Sequence, residues 1–393
     1  AYVLTTIDKK VAIYAYYFHS LLQRATDITL TYNKAASKTA TGEMSRFMLQ
    51  LMVESGQNIH FKNLNASQNP LQSIKKPIVK SQEVMRNIYQ TDRLSPTAIT
   101  TYLRCQMRFY YRYIAGIKEP DNEEDEIDNR IFGNIFHRAA ELFYESKCNK
   151  DVVQKQDIIN ALKDKSLLPR IIEEAFREKL FNVKDDKNIT YNGLQIINRQ
   201  VIFEYIKRLL AIDQKLTPFS ILGLEKPIEM PFDINTQDGL KQISLFGNID
   251  RIDKIDENGS TCIRVVDYKT GSNDKTSIKS VDDIFNPEKI ESHSDYYLQA
   301  LLYSIMLYNN RNLNPNHLPV SPALLFIQHA TGDDYTPILK FGKDIITDVS
   351  IYTEDFLSKL KELIEDIFNP NIAFNPTENT KRCQYCPYRE ICG

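Results

Sequence analysis

Residues 263–272, IRVVDYKTGS, place an acid and a lysine, Asp267 and Lys269, inside a run that otherwise has the composition of a buried strand. Ionised groups are costly to bury unless something binds them. Side chains alternate faces along a strand, so Ile263, Val265, Asp267 and Lys269 share one face, and Arg264, Val266, Tyr268 and Thr270 share the other. Asp267 and Lys269 then project together, about 7 Å apart at roughly 3.3 Å per residue. The stretch DENGST at 256–261 has hairpin composition around Asn258-Gly259. The preceding run, ISLFGNIDRIDKI, carries Asp250 and Asp253, and a hairpin brings one of them beside Asp267. Two converging carboxylates repel unless a cation sits between them. Mg²⁺ is the natural candidate, a hard ion that takes oxygen ligands and keeps several waters. A neighbouring lysine offers positive charge to a phosphate or an activated water. These residues are the inventory for metal-assisted phosphodiester hydrolysis. In isolation, Asp-x-Lys also fits a salt bridge on a solvated strand face. Apolar residues on both faces and the acids upstream favour a covered strand.

Composition sets outer limits. The 393 residues suffice for two domains, or for one large domain with an appendage. An apolar fraction of 42% and a charged fraction of 25% are ordinary for a globular chain. No apolar run reaches the length of a membrane span, and the start, AYVLTTIDKK, has no signal-peptide pattern, so no membrane association and a cytoplasmic location are expected. The first residue is Ala rather than Met, which reads as processing or as a piece cut from a longer protein. A net charge of −2 excludes a globally basic nucleic-acid binder, so DNA contact must use a local patch.

Periodicity predicts the elements that position these residues. Residues 1–64 read as a small α/β unit, with helices in KKVAIYAYYFHSLLQRA and GEMSRFMLQLMVES and extended runs in TDITLTYN and NIHFKNL. Residues 65–93, polar with two prolines, read as a linker. From 94 to 393 a main domain is expected. It opens with a helix capped by Ser95 with Pro96 in its first turn, running to about Ile114. An acidic loop, EPDNEEDEIDN, follows, and then helices near 130–147, 155–180 and 190–214. Strands dominate from about 222 to 270. SDYYLQALLYSIMLYNN returns to helix, ALLFIQHA is a strand, and DVSIYTEDFLSKLKELIEDIF is a long amphipathic helix. This order suggests an α/β fold, a mixed sheet flanked by helices.

The motifs GNIDRID, VVDYKTG and QALLY, in that order, resemble the RecB-like branch of the PD-(D/E)XK nuclease superfamily. LSPTAITTYLRCQMRFYYRYIAGIKE resembles the opening helix of that branch, and GNIFHRAAE its G-x-x-x-H helix. The resemblance covers roughly 95–393 and implies a restriction-endonuclease-like mixed central sheet. It implies that Asp250 and Asp267 are metal-binding acids, that Lys269 is the catalytic lysine, and that His137 reaches the metal. Gln299 and Tyr303 match the Q-x-x-x-Y pair, one helical turn apart on one face bordering the active site. None of these positions is degraded, so an active Mg²⁺- or Mn²⁺-dependent enzyme is expected. Read without its motif, His137 is an ordinary surface or core histidine. Glu141, one turn on, is a candidate support for His137 or the metal shell. Asp253 reads as a solvated acid, and Tyr303 alone as helix packing.

RCQYCPYREICG ends the chain with Cys383, Cys386 and Cys392, and a four-thiolate centre needs a fourth ligand from Cys105, Cys148 or Cys262. Cys262 reads as a packing residue and Cys148 as a free thiol. Cys105 lies where AddB-type nucleases and their CRISPR-associated relatives carry the first ligand of an iron–sulfur cluster. The resemblance therefore implies a structural [4Fe–4S] clasp on Cys105, Cys383, Cys386 and Cys392, with zinc as the runner-up, since spacing alone does not separate the two metals. One departure is Gln106, where the family often has Pro.

DKKVAIYAYYFHSLLQRATDITLTYN resembles motif VI of superfamily 1 helicases, with Arg24 at the position of the phosphate-facing arginine. A generic α/β packing unit is the other reading of this stretch. No G-x-x-x-x-G-K-[ST] occurs, so the chain does not hydrolyse ATP by that route. RFYYRYIAGIK interleaves Arg108, Arg112 and Lys118 with aromatics, as a DNA-stacking surface would, although core packing serves Phe109 and Tyr113 equally well. Lys275 and Lys279 are candidate phosphate contacts. The expectation is a DNA exonuclease or end-resecting nuclease of recombinational repair, partnered by a helicase–nuclease subunit. The alternatives are a DNA-binding scaffold with a silent nuclease fold, and a CRISPR-associated-type nuclease.

Overall fold

The structure, a computed structural model, describes residues 7–32, 43–56, 59–62, 76–118, 127–147, 152–183, 189–257, 259–271, 278–328 and 335–392. It divides into two units, 1–71 and 72–393.

In the first unit, α1 (Ile7–Leu22) and α2 (Arg46–Glu54) form where the helical spacing predicts them. Ser45 caps α2 by accepting from the Phe47 N–H, and Phe18 stacks on Phe47 at 5.7 Å. The strands expected at 26–33 and 58–64 do not form among the described residues, which give this unit two helices and no sheet. Period-two alternation is not sufficient, because a strand also needs a neighbour to take its backbone hydrogen bonds.

The second half of the expected linker behaves differently from the reading. Residues 82–89 form α3 (Gln82–Tyr89), capped by Ser81, with Ile88 fully buried in the main core. The Lys80 ammonium donates to the carbonyls of Asp366, Ile367 and Asn369 at 2.7, 2.8 and 3.0 Å. It thereby caps a C-terminal helix whose last carbonyls lack partners. Prolines and polarity hid a short amphipathic helix built on Val84, Met85 and Ile88.

The main unit is built on β1 (Arg93–Leu94), β2 (Val152–Val153), β3 (Phe219–Thr236), β4 (Gly239–Glu257), β5 (Ser260–Lys269) and β6 (Val320–Phe326). The order is β2-β3-β4-β5-β6, with β1 pairing parallel to β4. β3, β4 and β5 run antiparallel, and β5 and β6 parallel. β4 and β5 pair as a hairpin, and Gly259 before β5 has φ +82, the left-handed backbone that glycine tolerates. On one edge of β4, Leu245 pairs with β1 and Arg251 with β5. Asp250 lies in the gap between these two pairings.

The helices are α4 (Pro96–Arg104), α5 (Gln106–Phe109), α6 (Asn129–Tyr144), α7 (Lys155–Lys163), α8 (Leu167–Lys179), α9 (Gly193–Leu216), α10 (Val281–Phe285), α11 (Ser294–Asn309), α12 (Ser350–Phe368) and α13 (Arg389–Cys392). Ile263, Val265 and Leu324 pack on one sheet face with Leu298 and Leu301 of α11 and Phe356 and Leu360 of α12. Val266, Tyr268 and Leu325 pack on the other with Phe136 of α6, Phe176 of α8 and Leu209 of α9. Both faces are covered, as the apolar flanks of Asp267 predict. No helix among the described residues is long and apolar enough to cross a membrane.

The opening helix breaks where the sequence predicts continuity. α4 ends at Arg104, Cys105 is extended at φ −164 and ψ 114, and the chain resumes as α5 and a π-turn over Tyr110–Ile114. The Arg382 guanidinium, from the C-terminal cysteine segment, donates to the Arg104 carbonyl at 2.8 Å and substitutes for the interrupted helical bonds.

Candidate active site

Where the β4–β5 ladder stops, at the Arg251–Val266 pair, the Tyr268 N–H donates to Asp250 Oδ2 at 2.7 Å. Asp250 Oδ1 lies 3.4 Å from His137 Nδ1, delivered by α6. Glu225 Oε1 lies 3.4 Å from the same nitrogen. One donor atom from each of His137, Glu225 and Asp250 falls within a sphere where all lie less than 4.8 Å apart. Asp267, on β5, is 3% exposed. The Lys269 ammonium sits 2.6 Å from Asp267 Oδ2, close as an ion pair though not aligned as a hydrogen bond. It donates to Gln299 Oε1 at 3.0 Å and lies 4.8 Å over the Tyr296 ring. The structure thus brings Asp250 and His137 together, and Asp267, Lys269 and Gln299 together, where the β4–β5 ladder stops.

Tyr303, one turn beyond Gln299, explains Gly247. A Cβ at position 247 would lie 2.3 Å from Tyr303 Cε1 and 2.6 Å from its hydroxyl. The ring is buried and has no flexible end to move aside. Gly247→Ala is expected to cost about 1–3 kcal/mol through this overlap. Thermal melts of the two proteins measure it, and an unchanged melting temperature would show that Tyr303 is not held there.

Charge shapes the site. Burial works to lower the His137 pKa, but the Asp250 and Glu225 carboxylates outweigh it and raise it to about 10. Burial works to raise that of Asp250, but His137 and the Tyr268 N–H hold it below the usual range. Asp267 is pushed up to about 6, first by burial and then by the Asp250 charge, with Lys269 opposing. Burial would lower Lys269, and the two aspartates raise it. Three carboxylates, one ammonium and a neutral imidazole leave a deficit of two positive charges, the charge of one divalent cation. The oxygen-rich donor set with one imidazole fits Mg²⁺ or Mn²⁺. Without metal, protonated His137 supplies part of that charge.

The pH dependence of the metal-free protein follows. The folded pKa of His137 lies above the unfolded value of about 6.5, so its stabilisation is full below that pH and is lost as pH rises through about 10. Asp267 is also raised, so its contribution is lost between about 4 and about 6. In EDTA, the melting temperature is expected to fall between pH 7 and pH 10, and Mn²⁺ should restore it. A flat profile in EDTA would contradict the charge arrangement.

Glu225 was not singled out by motif. It follows a bulge between Ile221 and Gly223 in β3 and has φ +43, off the strand's regular alternation. Asn248 donates to its carboxylate from the neighbouring strand. The glycine inside a strand-like run, Gly223, was the available signal, because such glycines mark bulges that re-aim side chains.

Two readings need correction. Asp253 is not a solvated acid: it is fully buried and paired with Arg251 and Arg264. Glu141 does not support His137, because Arg138 takes it at 2.7 Å while also bonding Glu178. Phe109 is core, fully buried against Tyr102 and Tyr113. Lys275 and Cys148 lie outside the described residues.

Cys105, Cys383, Cys386 and Cys392 line one cavity together with Met107, Tyr111 and Tyr388. The break after α4 turns Cys105 toward it. Arg104, Arg108, Arg382 and Arg389 also border the cavity. Cys262 packs instead on the far sheet face, as expected. The Gln106 side chain, at the family's proline position, accepts from the Asn375 N–H at 2.8 Å.

Comparison with known proteins identifies the family of this fold. The model of the PD-(D/E)XK nuclease superfamily matches residues 93–393. A subunit of the ATP-dependent helicase/deoxyribonuclease of Clostridium acetobutylicum is 26% identical over 289 residues, covering 68% of this chain and 22% of that protein. The protein of the same name from Carboxydothermus hydrogenoformans is 26% identical over 256 residues, covering 63% and 21%. That from Thermoanaerobacter sp. is 22% identical over 385 residues, covering 80% and 31%. The chain spans about a fifth of the length of the first two of these relatives. The match from β1 to the terminal cysteines, most of the chain, means that the chain belongs to the PD-(D/E)XK nuclease superfamily.

Proposed function

We propose that the chain is the nuclease part of a larger helicase–nuclease subunit, and that it cleaves DNA phosphodiesters with Mg²⁺ or Mn²⁺ as an exonuclease of end resection in recombinational repair. The observation that carries this reading is the gathering of the His137, Glu225 and Asp250 donor atoms within 4.8 Å, beside the Asp267–Lys269 pair. His137, Glu225, Asp250 and Asp267 hold the cation. Bound by these residues, a divalent cation would supply positive charge to the scissile phosphate and to the attacking water. Lys269 orients the attacking water and offsets the charge that builds on phosphorus. Gln299 keeps the ammonium pointed into the site. Tyr303 packs the neck of β4 at Gly247.

The four cysteines around one cavity support a second centre, a structural [4Fe–4S] cluster, with zinc as the competing occupant. The N-terminal unit is read as the tail of a helicase-like region, and the partner as another helicase–nuclease subunit.

The test is incubation of the purified chain with end-labelled single-stranded and duplex DNA in Mg²⁺, Mn²⁺ or EDTA. Metal-dependent shortening from an end supports the exonuclease. Internal cuts alone would favour an endonuclease of the CRISPR-associated kind. DNA bound but uncut in either metal would favour the silent scaffold and overturn the enzyme.

A further inference from the structure

Beneath the acids, on the opposite face of β4 and β5, lies a buried polar network that the proposed chemistry does not use. Arg251 directly follows Asp250 and points the other way. Its Nη1 and Nη2 donate to the two carboxylate oxygens of Asp213, each at 2.8 Å. Nη1 also donates to the Tyr268 hydroxyl at 3.0 Å, and Nη2 to Asp253 at 3.1 Å. The Tyr144 hydroxyl donates to Asp213 at 2.6 Å. Arg264 bonds Asp253 at 2.8 and 3.2 Å. Asp213, Arg251 and Asp253 are fully buried.

So deep an ion network is a poor source of stability. Desolvation offsets the attraction, and apolar side chains of similar volume often serve as well or better. What it does achieve is connection. Asp213 stands near the end of α9. Tyr144 lies seven residues from His137, two turns along the same face of α6. Arg251 adjoins Asp250 on β4. Tyr268 adjoins Asp267 on β5, and its N–H holds Asp250. The elements that carry His137 and Asp250 therefore meet on the Asp213 carboxylate, and the one that carries Asp267 joins them through the Arg251 guanidinium. Apolar contacts between a helix and a sheet are non-directional and tolerate sliding. A bidentate guanidinium–carboxylate pair fixes orientation as well as distance.

We propose that Asp213 is a positioning residue: through Tyr144 and Arg251 it sets the placement of His137 against Asp250, and so the shape of the cation site. The inference rests on the reading of that site as a divalent-metal centre. Supporting groups behind metal ligands typically change affinity by about 10–100-fold when removed.

The test compares the wild-type chain with Tyr144→Phe and with the triple variant Tyr144→Phe/Asp213→Leu/Arg251→Met, which leaves Asp253 paired with Arg264. Mn²⁺ affinity is read from the electron paramagnetic resonance of free ion, and stability from thermal melts. Tyr144→Phe is expected to raise the Kd about tenfold with little change in melting temperature. The triple variant is expected to melt at or near the wild-type temperature with a Kd raised at least as far. Wild-type Kd values in the folded variants, whatever their melting temperatures, would overturn the positioning role and leave a structural one. If the triple variant does not fold, Tyr144→Phe decides. Absence of Mn²⁺ binding in the wild type would instead remove the metal reading itself.

Discussion

Lys269→Ala is expected to leave the chain folded and to lower metal-dependent DNA cleavage about a thousandfold or more. Lys269 is the last residue of β5, and its side chain keeps partial exposure at the site. Its ammonium is committed to Asp267 and Gln299, both on the reactive side of the sheet. Truncation leaves the cation ligands in place, so Mn²⁺ binding should persist while cleavage is lost. Asp267 then keeps a buried charge with no counter-charge, so the variant should melt lower in EDTA and recover when Mn²⁺ is added. This split between binding and turnover separates a group acting on the reacting phosphate from one that only neutralises its neighbours. Cleavage at the wild-type rate would sink the mechanism.

Cys105→Ser is expected to be the most destabilising of the changes considered. A metal centre on the four cysteines would join position 105 to the last eleven residues, closing a loop of about 278 residues. By analogy with a cross-link, losing it costs on the order of 5 kcal/mol. The bordering arginines suit such a centre, since a metal held by four thiolates carries net negative charge. Iron and acid-labile sulfide in anaerobically prepared wild-type protein, both lost in the variant, are the expected result. Zinc in their place would select the runner-up. Wild-type protein with neither metal, melting with Cys105→Ser at one temperature, would remove the clasp.

What was legible in the sequence follows from how each feature is encoded. The strand faces around Asp267 were readable because a two-residue period has only two phases, and the apolar residues on both faces announced a covered strand. The Asn-Gly pair at 258–259 was a readable hairpin signal, and a hairpin implies the approach of β4 to β5. Glu225 was hidden because a bulge and a positive φ took it off the alternation, and neither leaves more trace than a lone glycine. Asp253 was misread because its partners are remote in sequence or obscured by it: Arg264 arrives only through the hairpin, and Asp213 competes for Arg251 from a helix 38 residues away. The break at Cys105 had no local signal either, since the Arg382 that caps α4 comes from the far end of the chain. Tertiary partners, and not propensities, decided each of these.

The decisive measurement is a Mn²⁺ titration of the wild type and Asp250→Asn, with ion binding and cleavage of end-labelled DNA followed in the same samples. In the wild type, cleavage should be absent in EDTA and should rise together with occupancy of the site. In Asp250→Asn, both should fall by at least about tenfold while the protein stays folded. Wild-type cleavage by Asp250→Asn, or cleavage by the wild type in EDTA, would contradict a metal-dependent nuclease site at the junction of β4 and β5.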